Sequence, residues 1–249
     1  MKTKIHLTAL VLLAFVIVLP AALPTPKEQI NGVPVFLHGL NPPASWKVRC
    51  DAPVRADKKQ LDLYRKILAA ELGKYPMPLL QKSKLKGIAI VKNLSVAGQR
   101  RAAMPDYENE ILYLDFQRGA HNPAYQAHVI HHEFFHLLEQ ELNGSAYFKD
   151  PEWAKLNPKN FRYGKGGKKQ RGNDNFALVH PQSGFINRYS TSALEEDKAE
   201  IYAALFIPGE RKKINAMAAK DTHLAAKIKM MRRILHAIDP AIPAPPKTP

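Results

Sequence analysis

Cysteine is almost absent from this sequence of 249 residues, in which Cys50 is the one example. A single thiol cannot form an internal disulfide, and Cys50 lies too far from the N-terminus to be the acylated cysteine of a bacterial lipoprotein. We interpret it as a buried or incidental residue. A catalytic thiol is disfavoured because another group of residues explains the chemistry better.

Acidic residues are also scarce. The chain has 22 Asp and Glu against 37 Lys and Arg, which gives a formal net charge of +15. Such an excess favours anionic surroundings, for example a membrane surface, an envelope polymer, nucleic acid or an acidic substrate. It has no bearing on the fold.

Long hydrophobic runs are missing apart from one at the N-terminus. Elsewhere the apolar residues are spread along the chain, of which 45% is hydrophobic and 24% charged. This composition is typical of a globular protein and excludes wholesale disorder. The length is sufficient for one domain with a substantial core.

The N-terminal segment resembles an export signal. Two lysines precede an apolar run from Leu7 to Leu19, and prolines follow it. The run is short for a membrane span, and the layout is that of a secretory signal. Cleavage after Ala22 would place Pro20 where a small residue is required, so an uncleaved anchor stays open. We predict a signal peptide or anchor over 1–26, with the remaining chain secreted, periplasmic or held at the outer face of the membrane.

Residues 27–249 are predicted to form a single α+β domain. The proline-rich stretch 20–45 favours a tether or irregular wrap, and helical periodicity then appears over 57–74. Short apolar runs at 87–91 and 111–116 indicate strands of a small sheet.

The second half of the domain is predicted to be mainly helical. Apolar spacing and Pro123 predict a helix over 123–143. A loop over 145–190 follows, and its segment 154–171 contains seven Lys or Arg, three Gly and no acidic residue, which favours a mobile flap. The pattern Ser192-x-x-Glu195 indicates a capping box that starts another helix, ending at Pro208-Gly209. Further helix is predicted over 212–238, before a proline-rich tail over 240–249.

The predicted helix 123–143 carries an H-E-x-x-H motif, formed by His132, Glu133 and His136. Four-residue spacing places both imidazoles on one face, where they can share a zinc ion. Glu133 is offset enough to reach a water bound to that zinc, take its proton and pass it to a leaving amine.

A third protein ligand must come from elsewhere, because catalytic zinc normally takes three protein ligands and keeps one position open. Three glutamates follow Ser192. We assign Glu195 to the capping box, which leaves Glu196 and Glu200. These two share a helix face with Ala199 and Ala203, and small residues there let the two helices approach closely. One carboxylate can then reach the metal and the other the distal nitrogen of a histidine.

Together, His132-Glu133-x-x-His136 and Tyr189-x6-Glu196-x-x-Ala199-Glu200 resemble the glutamate-zincin metallopeptidases, most of all the family of the anthrax lethal factor catalytic domain and the Pro-Pro endopeptidases. The resemblance covers 123–142 and 185–206. It implies a zincin-like metallopeptidase domain with one zinc per chain that hydrolyses peptide or protein substrates.

The resemblance also implies individual roles. His132, His136 and Glu196 would be the zinc ligands, and Glu133 would be the general base. Tyr189 would donate a hydrogen bond to the developing oxyanion. Glu200 would be a carboxylate that contacts a zinc ligand and not the metal. Strand 111–116 would be the sheet edge along which an extended peptide binds.

Two features depart from the family pattern. The 59 residues between His136 and Glu196 are a long interval, and Lys198 stands where the relatives tend to have an aromatic residue. His128 lies four residues before His132, so a 128/132 ligand pair is an alternative, although Glu133 would then be misplaced. His131 is interpreted as a packed or solvated residue.

The alternative function is a non-catalytic basic protein that keeps the zincin fold and holds anionic envelope polymer through 154–171. An intact Glu133 favours catalysis, because a structural zinc site has no use for a general base. Nucleic acid is not an expected partner, since no basic motif interleaved with aromatic residues is found.

Overall fold

The computed structural model describes residues 23–169 and 176–242. Most of the predicted signal or anchor and most of the predicted tail lie outside these ranges. The strands are β1 (Glu28–Ile30), β2 (Val33–Phe36), β3 (Val48–Asp51), β4 (Gly87–Val96), β5 (Gln99–Arg100), β6 (Ala103–Asp106) and β7 (Ile111–Asp115). The helices are α1 (Lys58–Leu72), α2 (Met77–Lys82), α3 (Pro123–Asn143), α4 (Pro151–Ala154), α5 (Leu194–Phe206), α6 (Pro208–Ala218) and α7 (Thr222–Ile238).

The mixed sheet confirms the predicted α+β class. Its main strand order is β1-β2-β4-β7-β6, in which β2, β4 and β7 run parallel and β6 is antiparallel to β7. The short strands β3 and β5 pair with the second half of β4. No helix among the described residues is long and apolar enough to cross a membrane.

The prediction that 111–116 forms the sheet edge is wrong. Strand β7 lies between β4 and β6, and the terminal strand is β6. Sequence periodicity missed β6 because it is four residues long and contains Pro105. Proline has no N–H to donate, so it is tolerated at an edge and not in a central strand.

The proline-rich stretch 20–45 is also more ordered than predicted, since it contains both β1 and β2. Their antiparallel pairing, with Glu28 opposite Val35, places this hairpin at the other end of the sheet. Val35 is fully buried. Three- and four-residue strands are too short to stand out from their polar and proline neighbours.

Helix α3 begins and ends as predicted. The Asn122 side chain accepts a hydrogen bond from the Tyr125 N–H at 3.1 Å, and Pro123 occupies the first helical position. Gly144 ends the helix with a φ of 73°, in the left-handed region that glycine adopts at low cost. The apolar face of α3 joins the main hydrophobic core. Both ends of the motif-bearing helix are therefore fixed by local sequence.

The capping box predicted at Ser192 and Glu195 is wrong. Helix α5 starts at Leu194, its N-cap residue is Ala193, and no side chain caps it. Ser192 instead ends a 3₁₀ turn that begins at Tyr189, and its buried hydroxyl has no hydrogen-bond partner among the described residues. The turn moves the N-cap by one residue, from Ser192 to Ala193, so Glu195 is second in the helix and not third, the position that a capping box requires.

The chain after α5 is helical as far as Ile238, as predicted, but it starts earlier than 212 and is divided into two helices. Pro208 does not only stop α5; it is also the first residue of α6, where its missing N–H costs nothing. Helix α7 follows with Asp221 as its N-cap, which accepts hydrogen bonds from the N–H groups of His223 and Leu224.

Candidate metal centre

Helices α3 and α5 bring two histidines and one glutamate to a common point. His132 Nε2 lies 3.1 Å from His136 Nε2 and 3.0 Å from Glu196 Oε2. The third distance, between His136 Nε2 and Glu196 Oε2, is 3.5 Å. Both histidines are buried, and Glu196 is partly buried. These are the three residues that the family resemblance implied as ligands.

The geometry of this trio fits a zinc ion. With zinc–ligand bonds of about 2.0–2.1 Å, the donor atoms of a tetrahedral site lie about 3.3–3.4 Å apart, close to the three distances found. Two imidazole nitrogens at 3.1 Å also need a proton or a cation between them, because two lone pairs repel. Two imidazoles and one carboxylate form a donor set of the kind used by catalytic zinc.

Glu200 contacts the ring nitrogen of His132 that is not part of the donor trio. Its Oε1 lies 2.8 Å from His132 Nδ1, and neither atom has a hydrogen-bond partner elsewhere among the described residues. A carboxylate in this position fixes the tautomer that leaves Nε2 free for a metal. The second oxygen of Glu200 accepts hydrogen bonds from Asn187 Nδ2 and His128 Nε2.

The electrostatic environment keeps both carboxylates ionised. Burial opposes ionisation of Glu196, but its hydrogen bonds with His132 and His136 outweigh burial and hold its pKa below the usual value. For Glu200 burial again opposes ionisation, and the charge of His128 with the hydrogen bonds of His128 and His132 lowers the pKa. Both groups are therefore available as anions to bind or support a cation.

His128 supports Glu200. Its Nε2 lies 3.1 Å from Glu200 Oε2 and its Nδ1 lies 2.8 Å from Glu210 Oε2. Burial lowers its pKa, but the charge of Glu200 and hydrogen bonds to both glutamates outweigh burial and raise the pKa to about 10. The donor atoms of His128, His132 and Glu200 do lie within 4.8 Å of one another. The alternative 128/132 pair is nevertheless disfavoured, because both ring nitrogens of His128 already have carboxylate partners.

His131 is a packed residue, as interpreted from the sequence. It is fully buried, with Nδ1 2.5 Å from the Tyr75 hydroxyl and Nε2 2.6 Å from Glu71 Oε2. These contacts tie α3 to α1. His131 therefore stabilises the helix that carries the motif and does not face the donor trio.

Glu133 follows His132 on α3, and Tyr189 lies beside the donor trio. Glu133 is partly exposed on α3. The Tyr189 hydroxyl donates to Glu196 Oε1 at 3.1 Å, and its ring lies 5.8 Å from the His132 ring. Burial, followed by the charges of Glu196 and Glu133, raises the pKa of Tyr189 well above its usual value. The phenol therefore keeps its proton at neutral pH and can act as a donor.

Lys198, which departs from the family pattern, points away from the trio. It is fully buried and its Nζ donates to Glu139 Oε1 at 2.5 Å and to Asp150 Oδ2 at 3.1 Å. Glu139 belongs to α3, so this ion pair bridges the two helices that carry the donors. Ala199 and Ala203 are also fully buried between α5 and its neighbours, as their small size predicted.

Sequence reasoning assigned no role to Gly167 beyond its place in the predicted mobile flap. A Cβ atom on Gly167 would lie 2.2 Å from Glu196 Oε1 and 2.2 Å from the Tyr189 hydroxyl. Part of the basic segment 154–171, called the basic loop below, therefore lies directly against the candidate site. The one available signal was the cluster of three glycines within it, because glycine permits close approach of a backbone.

An α+β protein with a converging His-His-Glu donor set belongs to the class of candidate metalloproteins, and comparison with known families narrows the class. Residues 58–237, from α1 into the last turn of α7, match the family described as "Putative zinc-binding metallo-peptidase". The match spans most of the chain, which therefore belongs to this family. A crystal structure from Bacteroides caccae described in the same words has 18% sequence identity and a TM-score of 0.43, with 70% of each chain covered. None of the curated proteins compared with the chain matches it.

The donor trio yields a prediction about metal content. Reconstituted Glu196→Ala should lose stoichiometric zinc, because two ligands remain of three, and Glu200→Gln should weaken zinc binding by roughly 10–100-fold, the usual cost of losing a supporting carboxylate. Glu195→Ala is the matched control, one residue away on the same helix, and should keep one zinc per chain. Metal analysis and competition with a chelating dye measure all three. Loss of zinc in Glu195→Ala with retention in Glu196→Ala would contradict the assignment.

Proposed function

We propose that this protein is a zinc-dependent peptidase that hydrolyses peptide bonds outside the cytoplasm. His132, His136 and Glu196 would hold the metal, with Glu133 as general base and Tyr189 as oxyanion donor. The observation that supports this most is the convergence of three zinc-type donors, two of them from the H-E-x-x-H motif of α3. Membership of a zinc-binding metallopeptidase family supports it independently.

Glu133 would carry the proton during hydrolysis. Bound zinc would supply Lewis acidity and lower the pKa of a nearby water. Glu133 accepts a proton from that water as its oxygen bonds to the scissile carbonyl carbon, and delivers the proton to the amide nitrogen as the C–N bond breaks. The proton left on the added hydroxyl passes to the amine, so the products are a carboxylate and an ammonium group, and Glu133 returns to its ionised form.

Tyr189 would stabilise the negative charge that develops on the carbonyl oxygen. Its hydroxyl now donates to Glu196 Oε1, and a substrate carbonyl beside the trio would compete for the same proton. Because the oxygen becomes anionic only as water adds, the hydrogen bond is strongest in the transition state.

The substrate is proposed to lie along β6. This strand pairs with β7 on one side and ends the main sheet on the other. An extended peptide can add to such an edge through main-chain hydrogen bonds. We therefore propose β6, and not the strand at 111–116, as the sheet edge along which a peptide binds.

Export and attraction to anionic surfaces complete the proposal. The apolar N-terminal run supports export. Four basic side chains of the basic loop are exposed: Lys155, Lys159, Arg162 and Lys165. Their charge favours an anionic envelope or membrane surface as a partner.

Replacing Lys155, Lys159 and Arg162 with glutamine should lower binding to anionic vesicles at low salt, because such attraction is screened over about 10 Å at 0.1 M salt. Zinc content should not change, and unchanged vesicle binding in a cosedimentation assay would refute this partner.

Glu133→Gln separates catalysis from the alternative of a non-catalytic envelope-binding protein. The substitution keeps the size of the side chain and removes the base, so zinc content should hold while turnover falls by roughly 10²–10⁴-fold, the usual contribution of general acid–base catalysis. The assay is cleavage of a diverse peptide library by the zinc-loaded protein, with products identified by mass spectrometry. Equal cleavage by both proteins would remove Glu133 from the mechanism, and no cleavage by the wild type would favour the alternative.

Tyr189→Phe tests the oxyanion role. The ring keeps its packing against His132 and Phe176, so zinc content and thermal stability should hold. The kcat should drop by roughly 10²–10³-fold, the scale of losing one oxyanion donor, while KM moves little because the ground-state carbonyl uses the bond weakly. An unchanged kcat would end the catalytic role proposed for Tyr189.

A further inference from the structure

Residues 163–167, here called the strap, form the part of the basic loop that lies against the donor trio. The strap has two different faces. Lys165 is exposed on the outer side, whereas Gly167 is buried on the inner side. A glycine is required there, because a Cβ would overlap both Glu196 Oε1 and the Tyr189 hydroxyl.

Three hydrogen bonds join the strap to α5 and to the turn that precedes it. The Tyr163 hydroxyl donates to Asp197 Oδ2 at 2.8 Å, in a buried cluster where Asp197 also pairs with Lys227. Further along, the Gly164 N–H donates to the Thr191 carbonyl and the Gly166 N–H to the Ser192 carbonyl, both at 3.0 Å. In the first contact Asp197 is fully buried and Tyr163 partly buried, so this contact is the anchor. In the two backbone contacts Gly164 is exposed, and Gly166 and Thr191 are partly buried.

The position of Gly167 conflicts with substrate binding. In the proposed mechanism the Tyr189 hydroxyl must reach the scissile carbonyl beside Glu196. With the strap in place, the Tyr189 hydroxyl is hydrogen-bonded to Glu196 Oε1, and the backbone of Gly167 lies against both oxygen atoms. A peptide carbonyl cannot take the same position without moving this backbone.

This inference depends on the proposed peptidase function. We propose that the strap is an autoinhibitory cover. While Gly164 and Gly166 are hydrogen-bonded to Thr191 and Ser192, the candidate active site is closed. A peptide gains access only when residues 164–167 move away. Tyr163 stays bonded to Asp197 as the fixed end. The observed state is then the closed one, and apparent substrate affinity falls with the fraction of molecules that are open.

A reversible covalent lock tests the cover. A Cβ on Gly164 would lie 3.5 Å from Ser192 Cα, so the two Cα atoms are at most about 5 Å apart, within the reach of a disulfide, whose Cα atoms are usually about 4.4–6.8 Å apart. The full chain with Gly164→Cys, Ser192→Cys and Cys50→Ser is loaded with zinc and compared before and after reduction. Gly164→Cys with Cys50→Ser alone is the control for the oxidant and for the substitution.

Two readouts are taken: peptide cleavage, and the rate of zinc transfer to dipicolinate, which does not depend on catalysis. The oxidised lock should slow both by at least about tenfold, because the open fraction becomes negligible, and reduction should restore both. A disulfide confirmed by mass spectrometry that leaves the rate of zinc transfer unchanged would overturn the cover. No cleavage in any form, with zinc transfer still blocked by the lock, would refute the peptidase and not the cover.

A pair of alanine variants gives an independent check if the double cysteine variant fails to fold. Gly167→Ala must push the strap away from Tyr189 and Glu196, and zinc transfer should accelerate. Gly164→Ala is the matched control, since its Cβ meets no atom closer than 3.4 Å. Equal rates of zinc transfer in the two variants would contradict the proposal.

Discussion

The close docking of α3 against α5 is the constraint on which the candidate site depends. Each helix alone carries only part of the donor set, and the parts meet because Ala199 and Ala203 leave room for α5 to approach. The buried bridge from Lys198 to Glu139 and Asp150 fixes the position of one helix along the other. Loss of one partner would leave an uncompensated buried charge, a cost of about 3–5 kcal/mol. Lys198, which departs from the pattern of the resembled family, therefore helps to hold the two helices together.

The docking of α3 against α5 also gathers several carboxylates around the buried side chains of His128 and His132. Glu196 and Glu200 approach His132 from opposite sides of its ring, and Glu210 approaches His128. Carboxylates are rarely buried without compensating charge. In the residues described, that compensation comes from histidines, and a divalent cation at the trio would add to it. A chain that is otherwise strongly basic thus keeps an acidic centre under a basic loop.

Much of the site could be predicted from sequence because it is encoded locally. The H-E-x-x-H spacing, the apolar stripe of α3 and its Asn122 and Gly144 ends all act within a few residues. Glu196 and Glu200 share one face of α5, but they were singled out partly by a capping box at Glu195 that does not form, and the ligand role of Glu196 came from the family resemblance. The narrower resemblance to the lethal factor family stays a prediction.

The features that sequence missed depend on tertiary context. Strand β6 was hidden by Pro105, which only its edge position permits. The 3₁₀ turn at Tyr189 displaced the start of α5 and removed the capping box. Gly167 could not be placed, because its contacts to Tyr189 and Glu196 join segments that no local pattern connects.

Anomalous diffraction at the zinc edge, from crystals of the zinc-loaded protein, would locate the metal without reference to activity. We expect one zinc ion coordinated by Nε2 of His132, Nε2 of His136 and a carboxylate oxygen of Glu196, at about 2.0–2.2 Å from each. Glu200 should remain hydrogen-bonded to Nδ1 of His132. A zinc ion coordinated instead by His128 and Glu200, or no zinc peak between α3 and α5, would refute the assigned ligands.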